Sequence, residues 1–178
     1  MKENSAARYS TILETRRLIL RKLEPADAPI LARLWSDPRV TEYEGGPREF
    51  AQIEKSLVED ARSGQPNPFD MWACVEKETK QVIGHCGLIE KEVEGRKEIE
   101  VTYTLAQNTW GKGYATEIAG ALRDFAITKL RVTRLIALIH PGNVASARVA
   151  EKIGMRFERE VVRPSGAVRK IYIWEANQ

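Results

Sequence analysis

Residues 107–117 read Gln107-Asn108-Thr109-Trp110-Gly111-Lys112-Gly113-Tyr114-Ala115-Thr116-Glu117. Ahead of them Ile99, Val101, Tyr103 and Leu105 alternate with Glu100, Thr102 and Thr104, the period-two pattern of a strand. Behind them Ala115, Ile118, Ala119, Leu122, Phe125 and Ala126 recur at helical spacing and form one apolar stripe. A strand, two near-adjacent glycines and a helix start gather unpaired backbone N–H groups at one place, and the helix dipole adds partial positive charge there. Such a junction suits a phosphate.

Gly111 and Gly113 permit positive φ and let a ligand approach the backbone with no Cβ in the way. Lys112 between them adds a mobile cation. Two glycines alone favour a plain tight turn closing a strand–helix connection. Two familiar phosphate loops are excluded by spacing. A P-loop needs Gly-Lys followed by Ser or Thr, and here the second glycine precedes Tyr114. A dinucleotide fingerprint needs a third glycine where Thr116 stands.

Asn108-x-x-Gly111-x-Gly113 opening a helix resembles the Arg/Gln-x-x-Gly-x-Gly/Ala pyrophosphate loop of the GNAT acetyltransferases. The longer Trp110–Glu117 string resembles the RimJ/RimL-type branch of that superfamily. Thr15–Arg21 resembles the branch's opening strand, and Ile83-Gly84 falls where a strand commonly carries that pair. Asn143-x-x-Ser146 followed by Glu151–Met155 resembles its C-terminal helix motif. These matches run in the family's order over about residues 12–175.

A chain of 178 residues suits one domain with a proper core. The net charge of +3 is dispersed and does not argue for nucleic acid. Cys74 and Cys86 lack CxxC or metal-ligand spacing and read as buried free thiols, with a disulfide left open. His85 and His140 bring no ligand set, so no metal is expected. Met1–Ser10 is polar without an apolar signal core, and no apolar run approaches bilayer length. The expectation is a soluble, cytoplasmic protein with a polar N-terminal segment at 1–11 and one domain at 12–178.

Along the chain, strands are expected over Arg17–Leu23, Met71–Glu76, Val82–Lys91, Glu98–Leu105, Thr133–His140, Phe157–Val162 and Val168–Trp174. Helices are expected from Asp27, as cap, to about Trp35, over Arg48–Arg62 with Phe50, Ile53, Leu57, Val58 and Ala61 inward, and over Tyr114–Leu130 and Val144–Ile153. Ser63–Pro68 reads as a linker-like turn, and Lys77–Gln81 and Glu94–Lys97 as hairpin turns. The order is a mixed α/β single domain. It matches the GNAT fold, which implies one central, mostly antiparallel mixed sheet of about seven strands with four helices. The resemblance further implies that the fourth and fifth of these strands part to admit acetyl-CoA.

Acetyl transfer to an amine needs a held cofactor, a neutral amine, donors for an oxyanion and a proton for the leaving thiolate. The resemblance assigns Gly111, Lys112, Gly113, Tyr114, Ala115 and Thr116 to the diphosphate, with Asn108 and Trp110 beside them. It lays the pantetheine along Tyr103, Thr104 and Leu105, where a backbone N–H is the usual oxyanion donor. Glu100 matches the family glutamate that takes the amine proton. Read from the residues alone, it is more readily a solvent-facing carboxylate on an alternating strand. Glu100→Gln is then expected to slow turnover mostly at low pH, where an ammonium acceptor needs its proton removed. Many relatives carry a tyrosine acid seven residues after the motif asparagine, but Ala150 stands there. The branch's serine three residues after it corresponds to Ser146, assigned to the thiol. Asn143 and Ser146 also fit ordinary helix-start capping, and Asn143 can cap while its amide meets the pantetheine. Lys152, with Arg148, lies on a helix face able to meet the adenosine phosphate end.

The resemblance places Val40–Pro47 and Arg163–Val168 around the acceptor, an amine of a protein N-terminus, ribosomal proteins included, or of a small molecule. It implies no membrane and no direct nucleic-acid partner, and leaves a homodimer open. The rival reading is a non-catalytic acyl-CoA-binding regulatory module.

Overall fold

The computed structural model of the protein describes residues 11–63 and 67–176. Its strands are β1 (Thr11–Glu14), β2 (Leu18–Arg21), β3 (Met71–Glu76), β4 (Val82–Val93), β5 (Arg96–Leu105), β6 (Arg134–Ile139), β7 (Arg156–Val162) and β8 (Val168–Glu175). The helices are α1 (Ala28–Ser36), α2 (Phe50–Ser63), α3 (Tyr114–Thr128) and α4 (Val144–Lys152). Eight strands form one sheet in the order β1-β2-β3-β4-β5-β6-β8-β7, with β5–β6 its one parallel pair. This is the mixed α/β architecture expected, with one strand more than the pattern announces. The extra strand is β1, a four-residue segment too short to show a period. It pairs antiparallel with β2 across a turn closed by the Thr15 N–H and the Leu18 carbonyl. Thr11 therefore belongs to the sheet, and the rest of the polar N-terminal segment lies outside the described residues.

Alternation on β4 and β5 divides the core. Cys86, Leu88, Val101 and Leu105 face α3 and α4, joining Ile118, Leu122 and Leu135 in the larger apolar cluster. On the opposite face α1 and α2 bury Leu31, Leu34 and Leu57 against Val82 and Ala106. Toward β8 that same face packs Val93, Ile136, Val161, Ile171 and Ile173. Arg134 sits at its margin, bonded to Glu98, Glu158 and Glu175.

Three local expectations are corrected. Asp27 does not cap α1 with its side chain: its carboxylate turns back to accept both Arg21 Nη atoms, at 2.6 and 2.8 Å, and the Glu24 N–H. Phe50, placed inward by helical spacing, is instead 36% exposed at the first residue of α2. The β4–β5 turn is tighter than Glu94–Lys97. Glu94 and Gly95 both take positive φ (49° and 79°), the two-residue geometry whose twist suits a hairpin.

Gly84 shows why β4 carries a glycine opposite the end of β5. It pairs with Leu105, and a Cβ there would lie 2.6 Å from the Thr104 carbonyl oxygen. Cys74 and Cys86 are buried and unbridged. Among the described residues no helix is long and apolar enough to cross a membrane.

Candidate active site

Beyond Leu105 the chain makes one 3-10 turn, Gln107–Thr109, and then the two glycines. The Thr109 hydroxyl donates to the Ala106 carbonyl at 2.6 Å, and the Trp110 indole N–H to the Leu105 carbonyl at 2.9 Å. Gly111 and Gly113 adopt φ of 75° and 80°, and Gly113 occupies the cap position of α3. The consequence lies in the main chain. Among the described residues the amides of Gly111, Lys112, Gly113, Tyr114, Ala115 and Thr116 have no hydrogen-bond partner in the protein. Six consecutive donors at a helix N-terminus form a concentrated anion-binding surface.

Five of these six residues, all but Lys112, line a cleft beside the end of β5. The parallel pairing of β5 with β6 is confined to Ile99 with Leu135 and Glu100 with Ile136. Past that point the strands diverge, and Tyr103, Thr104 and Leu105 line a cleft of about 380 Å³. Asn143, Ser146, Val149 and Lys152 of α4 and its cap form another wall, and Arg39, Val40, Glu42, Tyr43 and Glu44 a third.

Glu100 stands at the apex of the fork. Its carboxylate accepts the Leu138 N–H at 3.3 Å, and the residue is only 9% exposed. Burial pushes its pKa up to about 7; Glu44 adds to the rise, while Lys91, the Leu138 amide and Arg163 oppose it. A carboxylate poised there exchanges a proton near neutral pH. Glu100 is therefore not the solvent-facing carboxylate that its alternation also allowed. β5 is the middle strand there, with Glu100 paired to Ile89 of β4 on one side and Ile136 of β6 on the other.

At the α4 end the Asn143 side chain accepts the Ser146 N–H at 3.0 Å, so capping is realised. The Tyr103 phenol reaches the same turn, donating to the Ser146 carbonyl at 3.5 Å. Burial raises its pKa to about 12, keeping it a donor across working pH. The sequence pattern drew attention to the main chain of Tyr103 and missed its hydroxyl, which arrives beside α4 where Ala150 offers none. His140 is tied locally, its Nδ1 accepting the Gly142 N–H at 3.0 Å and its ring against Tyr43.

A glycine-built amide cradle at the mouth of a strand fork, with a buried carboxylate at its apex, accompanies a clear family match. The model of the acetyltransferase (GNAT) domain matches residues 17–156. The chain belongs to the GNAT acetyltransferases. Similar proteins include an uncharacterized N-acetyltransferase, p20, of Bacillus licheniformis, 35% identical over 91% of this chain and 93% of p20. A crystal structure of an acetyltransferase from Agrobacterium tumefaciens is 29% identical with a TM-score of 0.77, covering 99% of this chain and 100% of that one. Fold likeness extends to the aminoglycoside acetyltransferase AAC(6')-Ib solved with coenzyme A (17% identical, TM-score 0.70, covering 89% and 94%). It extends also to a ribosomal-protein-S5-alanine acetyltransferase from Vibrio fischeri (18%, TM-score 0.72, covering 92% and 95%).

Acetyl-CoA is the acyl donor of this N-acetyltransferase family, and the residues present fit it. The unpaired amides suit a diphosphate, Gly111 has open space where a side chain would start, and Lys152 adds a cation at the cleft wall. Of the sequence-nominated cofactor residues, Tyr103, Thr104, Leu105, Trp110, Gly111, Gly113, Tyr114, Ala115, Thr116, Asn143, Ser146 and Lys152 all line this cleft. Two stand elsewhere. Asn108 lines a neighbouring cavity of about 340 Å³ between α1 and the start of β4. Lys112 is exposed outside the cleft wall, with its carbonyl taken by Arg17. Among the described residues no group of three or more His, Cys, Asp or Glu side chains is placed to hold a metal ion.

Trp110 provides a direct probe. It is 49% exposed on the cleft wall, whereas Trp35 and Trp72 are buried. Titration with coenzyme A is expected to change tryptophan emission, and Trp110→Phe to remove most of that signal. Emission indifferent to saturating coenzyme A would take the indole off the binding surface.

Proposed function

We propose that the enzyme transfers an acetyl group to a primary amine by direct attack within a ternary complex, in the manner of the RimJ/RimL-type branch. The observation that carries this reading is the fork itself, with free amides at its open end and buried Glu100 at its closed end. Acetyl-CoA, when bound, supplies the activated acyl group. The amides of residues 111–116 hold its diphosphate, and the diverging edge of β5 directs main-chain donors toward the carbonyl oxygen. Glu100 accepts the proton of the incoming amine, directly or through water, which its place near neutral pH favours. The Ser146 hydroxyl, with the Tyr103 phenol beside it, donates a hydrogen bond toward the departing sulfur.

The acceptor enters on the side of Glu42, Tyr43 and Glu44, which line the cleft opposite α4. Arg169 donates to the Tyr43 carbonyl at 3.3 Å, tying the β7–β8 hairpin to that loop. Both acceptor classes have precedent on this fold, one neighbour being a ribosomal-protein acetyltransferase and another an aminoglycoside acetyltransferase. The chain from Thr11 onward works as one cytoplasmic domain, with a homodimer as the candidate assembly.

The test is a thiol-release assay with acetyl-CoA against peptide N-termini, ribosomal ones included, alongside aminoglycosides and other small amines. A single preferred class is expected. Thermal stabilisation by coenzyme A with no release from any amine would leave an acyl-CoA-binding module instead.

A further inference from the structure

The phosphate loop is held from outside by the turn between β1 and β2. Arg17 Nη1 donates to the Lys112 carbonyl at 2.9 Å, and its Nε to Glu117 Oε2 at 2.6 Å. The Arg17 N–H and the Thr15 hydroxyl both donate to Glu117 Oε1, at 2.8 and 2.6 Å. The guanidinium carbon lies 4.4 Å from the centre of the Tyr114 ring, and the Tyr114 hydroxyl donates to Glu76. Three residues remote in sequence, Thr15, Arg17 and Glu76, thus converge on the segment that carries the free amides and on Glu117 just after it.

Two physical problems meet here, and one side chain answers both. Glu117 occupies the first turn of α3, where a carboxylate suits the dipole but repels a diphosphate bound one turn away. Arg17 neutralises it at close range. A planar trans peptide points its carbonyl and its N–H in opposite directions. Fixing the Lys112 carbonyl on the Arg17 side therefore turns the Gly113 N–H away from it, and Gly113 lines the cleft. The remaining nitrogen, Nη2, has no hydrogen-bond partner among the described residues and lies 3.5 Å from where a Gly113 side chain would begin.

We propose that Arg17, clamped by Glu117 and Thr15, is a positioning residue for the acyl donor: it sets the phosphate loop and cancels the Glu117 charge. This rests on the phosphate-cradle reading above. The clamp acts on the diphosphate end of the donor and leaves the thioester end alone.

The experiment compares two ligand pairs: coenzyme A with pantetheine for binding by thermal shift and titration, and acetyl-CoA with S-acetylpantetheine for turnover. Arg17→Ala is expected to raise the coenzyme A dissociation constant about ten- to a hundredfold, the range of lost charge-assisted contacts. The preference for acetyl-CoA over S-acetylpantetheine should shrink by the same factor. Arg17→Lys keeps the charge but cannot bond the Lys112 carbonyl and Glu117 together, so it should restore little; it also serves if the alanine variant folds poorly. Equal losses with the phosphate-bearing and phosphate-free ligands would mark Arg17 as a general structural staple and overturn the proposal, as would no loss with either. A wild-type protein that does not distinguish coenzyme A from pantetheine would instead remove the phosphate cradle on which the proposal rests.

Discussion

Gly113→Val is expected to weaken coenzyme A binding about a hundredfold while the variant still folds. Gly113 holds φ of 80° at the cap of α3, a conformation that costs a β-branched residue on the order of 1–2 kcal/mol or more. The chain relieves that strain by rotating the 112–113 and 113–114 peptides. Those rotations withdraw two of the six free amides from the cleft. A charge-assisted hydrogen bond contributes about 1.5–3 kcal/mol, so losing even one or two well-aimed donors accounts for the factor. Calorimetric titration measures it directly. Affinity within about threefold of wild type would mean that the loop does not grip the diphosphate through its main chain.

Glu100→Gln carries the second large effect, and its pH dependence is distinctive. Glu100 titrates near 7 because it is buried, so below about pH 6 it is already protonated and resembles the amide. Turnover of the variant should fall about a hundredfold at pH 8, the lower range for loss of a general base, and approach wild type near pH 5.5. This reverses the low-pH loss expected from the sequence for Glu100 as the proton acceptor, and burial, which raises its pKa to about 7, is the reason. Stability moves the other way. A carboxyl whose pKa rises from 4.5 to about 7 on folding favours the native state most fully below pH 4.5, and that contribution is lost as pH climbs through 7. Glutamine carries no such penalty, so the variant should gain up to about 3 kcal/mol over wild type at pH 8 and less than about 1 kcal/mol at pH 5. Denaturant melts at the two pH values test it. A parallel loss of activity at every pH would remove Glu100 from proton transfer.

Much of this architecture is legible in local pattern, because local pattern is what periodicity encodes. The alternation of Ile99 to Leu105 places β5, and the stripe from Ala115 to Ala126 places α3, each within a few residues. The cleft side of the phosphate loop follows from the same register. What escapes is non-local. Whether Glu100 is buried depends on the β4–β5 hairpin and on the course of β6, neither of which its neighbours in sequence report. The direction of Asn108 is set by a 3-10 turn that faces α1, and the Tyr103 phenol matters only because α4 arrives beside it. Arg17 reads as one basic residue in an opening strand until the β1–β2 turn is laid against α3.

Two register pairs, Ile99 with Leu135 and Glu100 with Ile136, are the whole hydrogen-bonded seam between the first five strands and the last three. An acyl donor lying in the gap beyond them, as proposed above, would complete the ladder for both banks at once and act as a temporary ninth strand. An empty protein should accordingly breathe along that seam, and loading it should stiffen distant β7 and β8 as much as the walls that touch the ligand.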